Sequence, residues 1–345
     1  MVINSTRSIL MSIKSVVAAL ILTAIPFALN AKSLTIYSPQ GGDERGTFIS
    51  QKAKEAGLDI RFLGGGGGEL FDRLIAEKSN PQADIVLGLV QPSMYNLKTQ
   101  GMFEKFVPTW AAALGPDFKD ADGSFHMFWQ TPIVLAYKTD GLAGMEAPKS
   151  WLDLGKPEYK DKFTVGAITG QTTRMILAGL LWRFADPKTG EVSSEGWDLL
   201  RRIYSNSRVL PEGADYWQAV ASGQIPIVLS WFGGVVNNAA KNNVSVTFVD
   251  TEGGTPMVAE SIGIIKGTDD LKQAKKFVEW FGSPKFMAEY GARFNQAPAH
   301  PEALANSPEA IRAGVSQFHP QPINWAVAAG KLNGWLENIQ LNIMP

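Results

Sequence analysis

Apolar residues along this chain recur in two rhythms. Residues 33–38 (SLTIYS), 59–63 (DIRFL) and 83–89 (ADIVLGL) are short apolar runs that read as strands, with Leu58, Ile60 and Phe62 alternating around the second. Residues 47–57 and 68–79 read as helices between them. In the second helix Leu70, Phe71, Leu74 and Ile75 recur at helical spacing, with Glu69 in the first turn and Lys78 near the end, where their charges suit the helix dipole. A further helix is expected near residues 93–101. Strand–helix–strand repetition predicts a parallel sheet in an α/β fold. The pattern resumes downstream. Strands are predicted at 131–140, 162–168 (KFTVGAI), 225–231 (IPIVLSW), 244–250 and within 255–270, and helices over 169–185 and 195–206. An amphipathic helix over 271–294 is expected to break near Gly282 and Pro284.

One interruption of this pattern invites a functional reading. Five consecutive glycines, 64–68, join the second strand to the second helix. Glycine loses more backbone entropy on folding than any other residue, so a run of five suggests that backbone must approach something closely. A helix N-terminus offers free N–H groups and partial positive charge to an anion. In open α/β sheets ligands bind beyond the carboxyl ends of the strands, here Ser38, residues 64–68 and residues 88–93. A flexible surface loop is the alternative. The run lacks the spacing of G-x-G-x-x-G, so a dinucleotide site is not expected.

Composition narrows the field. The 345 residues suffice for about two domains. A net charge of −1 gives no basic field for nucleic acid. The lack of cysteine excludes disulfides, thiolate metal sites and thiol catalysis. Residues 1–31 have the form of a secretory signal: Arg7 and Lys14, an apolar stretch over 16–29, then Ala28 and Ala31. Cleavage after Ala31 leaves Lys32 first; Leu29 departs from the small-residue pattern, and Met11 is an alternative start. The stretch is short for a membrane span, an uncleaved anchor being the alternative, and no later run reaches about 18 apolar residues. The chain has no H-E-x-x-H, G-x-S-x-G or P-loop motif and only three histidines, so catalysis is not expected.

Several segments carry a family resemblance. They are LTIYSPQGG, GGGGELFDRLIAEKSNPQADIVLG, PIVLAYKTD, PKSWLDLGKPEYKDKFTVG, AVASGQIPIVLSW and DDLKQAKKFVEWFGSP, spread over nearly the whole chain after residue 31. In order and spacing the chain resembles the type II solute-binding proteins of bacterial ABC importers, in the branch that includes binders of ferric iron, thiamine, phosphonates and hexose phosphates. The resemblance implies a two-lobed α/β fold, two mixed sheets joined by two crossing segments with a ligand cleft between them. The crossings should lie near 130–136 and 258–265. Lobe one would comprise 32–130 plus 259–345, and lobe two 131–258. It further implies a periplasmic monomer that closes about a hinge and delivers its solute to a membrane permease and ATPase, with no cofactor.

Residue types bear on the ligand. The family's iron binders place adjacent tyrosines after the strand that here reads IPIVLSW, where this chain has Trp231 and Phe232, and a histidine in the first loop, here SPQGGDE. His126, His300 and His319 read as structural, and no metal site is expected. An oxyanion fits better. Ser38 offers a hydroxyl, Gly66, Gly67 and Gly68 offer N–H groups, and Thr169, Gln171, Thr172 and Thr173 open a predicted helix; Thr169 or Thr172 as a simple N-cap is the alternative. Arg45 and Arg174 are candidate charges. Trp231 can stack on a ring, and Asp215 and Glu260 can accept hydrogen bonds. The expectation is a small phosphorylated or phosphonate solute, a sugar phosphate foremost. Alternatives within the fold are ferric iron and polyamines. The alternative from another class is a phosphate-ester hydrolase, by Ser–Lys or paired-carboxylate chemistry.

Overall fold

The computed structural model describes residues 33–344 apart from Glu212. The expected secretory signal over 1–31 lies outside the described residues. The first elements are β1 (Leu34–Ser38), α1 (Glu44–Glu55), β2 (Ile60–Gly64), α2 (Gly67–Ala76), β3 (Ile85–Val90), α3 (Gln91–Thr99), β4 (Phe103–Glu104) and the long β5 (His126–Lys138). There follow α4 (Gln171–Trp182), α5 (Ser194–Asn206), α6 (Tyr216–Ala221), β6 (Ile227–Trp231), α7 (Phe232–Lys241), β7 (Val246–Val249) and β8 (Met257–Ile265). The chain closes with α8 (Leu271–Phe281), α9 (Pro284–Phe294), β9 (Ala297–Pro298), α10 (Pro301–Ala305), α11 (Glu309–Ser316) and α12 (Trp325–Asn342).

The strands form a mixed arrangement in the order β2-β1-β3-β8-β5-β6. β1 is parallel to β2 and β3, as the alternating pattern predicts, whereas β8 is antiparallel to both β3 and β5. The 13-residue β5 serves two neighbourhoods. Its stretch 126–132 pairs with β8, and its stretch 133–138 pairs with β6 and β7. A single strand thus carries the ladder from one α/β half into the other.

The central strands β1, β3 and most of β5 are buried on both faces, which is why they read as continuous apolar runs. On β1, Ile36 joins a core with Ile85, Trp129, Phe277 and Phe281, while the next residue, Tyr37, joins another with Leu70, Phe71 and Met94. On β5, Leu135 packs with Trp151, Leu177 and Leu229, while Val134 and Ala136 pack with Val228 and Phe232. The period of two sorts neighbouring residues into different cores.

Two sequence expectations are corrected in detail, and a third is met. Residues 162–168 form no strand. Lys162 O accepts from Ile227 N (3.0 Å), Phe163 O accepts from Arg208 N (2.8 Å), and Val165 N donates to the Ser207 hydroxyl (2.8 Å). The segment's hydrogen bonds are divided among separate partners, one a side chain, so no ladder forms. β5 begins at His126 rather than at residue 131, because β8 supplies pairing for the upstream residues. The 271–294 helix is two helices, as expected: Ser283 caps α9 by accepting from Phe286 N, and Pro284 occupies its first position.

The C-terminal segment, for which no element was expected, ties the halves together from behind. Trp182 Nε1 donates to Pro322 O (2.9 Å), Trp325 Nε1 to Met257 O (3.0 Å), and Asn96 Nδ2 to Ala329 O (3.1 Å). Helix α12 therefore contacts both α3 and α4. Among the described residues no helix is long and apolar enough to cross a membrane.

Candidate functional site

The carboxyl ends of β1, β2, β3 and β6 face a shared cavity of about 290 Å³. That lies near the lower end of the roughly 300–1,000 Å³ range of small-molecule pockets. Helices α2, α3, α4 and α7 begin at its wall. Their N-cap residues are Gly66, Val90, Gly170 and Trp231, and none caps its helix with its own side chain, although the Glu69 carboxylate accepts from Gly66 N (3.3 Å) at the start of α2. Helix α1 is different, because Asp43 caps it by accepting from Arg45 N (2.8 Å). The same carboxylate binds the Arg45 guanidinium through Nε (2.9 Å) and Nη2 (2.6 Å), holding that side chain at the cavity edge.

The glycine run has a divided role. A Cβ on Gly64 would lie 2.6 Å from Gly42 N, so this position lets two backbone segments touch. A Cβ on Gly67 would strike the Gln171 amide, and one on Gly68 would lie 2.7 Å from the Arg174 guanidinium and 2.8 Å from Thr169 O. Gly67 and Gly68 thus let the α2 and α4 N-termini meet. Gly66 has open space where a side chain would be. Gln171 then reaches β3, its Nε2 donating to Gly88 O (3.3 Å) and its Oε1 accepting from Val90 N (3.4 Å). Gly88, at φ +86°, sits where β3 slips register against β8, which turns its carbonyl out of the ladder.

A polar relay enters from one side. Tyr290 OH donates to Gln40 Oε1 (3.0 Å), and Gln40 Nε2 donates to Glu260 Oε2 (2.7 Å). Tyr290 is fully buried, stacked on Trp129 with ring centroids 5.0 Å apart. Burial pushes its phenol well above the usual value. Desolvation pushes the Glu260 carboxyl up to about 7, against the opposing pull of Arg45 and of the Gln40 N–H.

The structure brings Arg45, Gly66, Gly67, Gln171, Thr172, Trp231 and Glu260 to the cavity. It does not bring the other candidates there. Ser38 is fully buried, and its hydroxyl accepts from Gln40 N (3.0 Å), shaping the turn that delivers Gln40. Gly68 is buried beneath Arg174, Thr169 is exposed with its carbonyl against Gly68, and Thr173 is buried with its hydroxyl towards Gly166. Asp215 caps α6, accepting from Trp217 N (2.8 Å) and Gln218 N (3.1 Å), and is exposed. It does not pair with Glu260 in the cavity, which removes the geometric basis for a two-carboxylate hydrolase.

Gly88, within the strand end 88–93 that the sequence marked as ligand-facing, lines the cavity, whereas sequence reasoning missed Gln40, Thr131 and Met175, none of which carried a signal. Thr131 Oγ1 is buried without a hydrogen bond at the point where β5 passes between the halves. Among the described residues no group of three His, Asp or Glu side chains is arranged to hold a metal ion. His126 Nε2 lies 2.6 Å from Phe106 O, His319 pairs with Asp250, and His300 is buried; none lines the cavity.

Known proteins match this arrangement. Residues 80–315 match the bacterial extracellular solute-binding protein family. Over 325 residues the chain is 50% identical to a probable ABC transporter periplasmic-binding protein of Sinorhizobium fredii, covering 94% of this chain and 90% of the relative. Iron-bound HitA from Pseudomonas aeruginosa superposes with a TM-score of 0.76 at 17% identity, covering 90% and 99% of the two chains. AfuA from Actinobacillus pleuropneumoniae with fructose-6-phosphate bound gives 0.73 at 16%, covering 90% and 98%. These structures establish the fold as the two-lobed type II periplasmic-binding-protein fold. With that fold, an inter-strand cavity and a family match across most of its length, the chain belongs to the bacterial extracellular solute-binding proteins.

Proposed function

We propose that this protein is the periplasmic capture subunit of an ABC importer, taking a small phosphorylated or phosphonate solute, a sugar phosphate foremost, and delivering it to a permease driven by an ATPase. One observation carries the ligand class: the N-termini of α2 and α4 converge on one cavity, with Gly66 open to it and only the Gly66 N–H taken, by Glu69 Oε2. Converging N–H groups and helix dipoles favour an oxyanion without a lysine. Arg45 adds positive charge at the edge, and Trp231 presents a ring to the rest of the solute. The transporter assignment draws on the Sinorhizobium relative, and the phosphate ester on the structure of AfuA. Iron, as in HitA, is disfavoured because the lining offers one carboxylate and neither histidine nor tyrosine.

The two halves supply the transport cycle. In this reading lobe one is 32–130 plus 259–345 and lobe two is 131–258, and they close about the β5 and β8 crossings. A solute gripped by α2 from one side and α4 from the other stabilises the closed form, which is the form a permease reads. A thermal-shift screen of sugar phosphates, phosphonates, polyamines and ferric salts tests the reading, since a ligand of the folded state raises Tm. A shift with phosphorylated compounds that vanishes for their dephosphorylated forms supports it. A shift with only ferric salts or diamines overturns it, and turnover of a phosphate ester would replace it with a hydrolase.

A further inference from the structure

The relay Tyr290–Gln40–Glu260 does more than fill space, and its direction follows from its donors. Tyr290, buried and held as the neutral phenol, donates to the carbonyl of Gln40. The Gln40 amide then presents its N–H groups to Glu260, whose carboxylate accepts at Oε2. Gln40 is held at its other end by the Ser38 hydroxyl, and Gly88 leaves room for it, since a Cβ there would lie 3.1 Å from Gln40 Nε2. The remaining oxygen, Oε1, has no protein partner within hydrogen-bond distance, and Glu260 lines the cavity whose helix N-termini attract an anion. The charged and titratable groups facing Glu260 are Arg45 of α1, the Asp43 that neutralises it, and Tyr290 of α9. No cation forms an ion pair with Glu260 among the described residues.

A carboxylate in an anion site is repulsive unless one proton lies between the two groups. We infer that Glu260 is the specificity-determining residue for ligand protonation: the anionic solute is taken together with one proton shared between Glu260 Oε1 and an oxyanion of the ligand. The proton comes from solvent, and no covalent bond changes besides the O–H that forms. This rests on the oxyanion reading above. The near-neutral titration of Glu260 places the proton uptake in an accessible pH window.

The test is calorimetric binding of fructose 6-phosphate to the wild type and to Glu260→Gln at pH 7.5 to 9, where the ester is already dianionic, since its second ionisation lies near about 6. The wild-type Kd is expected to weaken about tenfold per pH unit, with uptake of about one proton measured across buffers of different ionisation heat. The variant, which donates permanently through its amide, is expected to bind with no such slope. A flat or tightening wild-type profile, the latter being the signature of a carboxylate reading an ammonium group, overturns the inference; so does an equal slope in the variant. If fructose 6-phosphate does not bind, it is this choice of ester that has failed, not the shared proton. The inference is then judged by the carboxyl carbon resonance of Glu260, assigned by its loss in Glu260→Gln and titrated with and without inorganic phosphate. A midpoint raised by phosphate supports a shared proton, and an unmoved midpoint overturns it.

Discussion

At the scale of single residues, the five glycines separate into different physical jobs. Gly66 adopts φ −62° and ψ 142°, a conformation open to any residue, with free space around its Cα. Gly66→Ala should therefore leave Tm unchanged or slightly raised, by about 0.4–1 kcal/mol of unfolded-state entropy, while weakening solute binding. Gly64→Ala should do the reverse. A methyl group 2.6 Å from the Gly42 nitrogen forces backbone apart, at about 1–3 kcal/mol. Thermal melts of both variants with and without ligand separate the two effects. Glu260 gives a pH prediction. Its folded value, about 7, lies above its unfolded one, so the folded state binds more protons between these values and stability falls as pH rises through that interval. Glu260→Gln should raise stability at pH 8 by on the order of 1–3 kcal/mol and change little at pH 4, read from denaturant midpoints.

At the scale of elements, the strands and helices were legible because apolar period and glycine punctuation agreed, as at β1, β3, β6 and the α8–α9 break. Legibility failed where backbone partners were not a regular ladder, as at 162–168. The site was half legible. Strand ends and glycines pointed to the right corner of the fold, but a hydroxyl or carboxylate in sequence does not reveal whether it serves a ligand or a nearby N–H. Ser38 and Asp215 serve nearby N–H groups. Gln40 carried no signal because its meaning comes from Tyr290, 250 positions away. Asp215→Ala should accordingly cost about 0.5–2 kcal/mol as a lost cap and leave solute affinity unchanged, whereas Asp215→Asn should restore stability. Loss of affinity in Asp215→Ala at full stability would place that carboxylate back in the site.

At the scale of the whole molecule, the two halves touch through Gln171, which bonds the end of β3 from the first turn of α4. Those two bonds are long, so they bias closure modestly. Gln171→Ala should weaken solute affinity about two- to tenfold and enlarge the unliganded radius of gyration in small-angle scattering, with saturating ligand restoring the compact value. An unchanged radius would mean that closure does not depend on this side chain.

The C-terminal helix α12 is bonded at Ala329 O by Asn96 of α3 on one half and through its own Trp325 Nε1 to Met257 O on the other, with Trp182 of α4 holding Pro322 just ahead of it. In the closing motion proposed above, that placement would make it a fulcrum: as the front opened, the rear would compress or slide against α12, and the packing there would set how far the jaws part and how fast they return. Leverage of this kind lets an event at the back, such as a substitution at Trp325 or a fusion extending α12, tune the opening without touching any group that meets the solute.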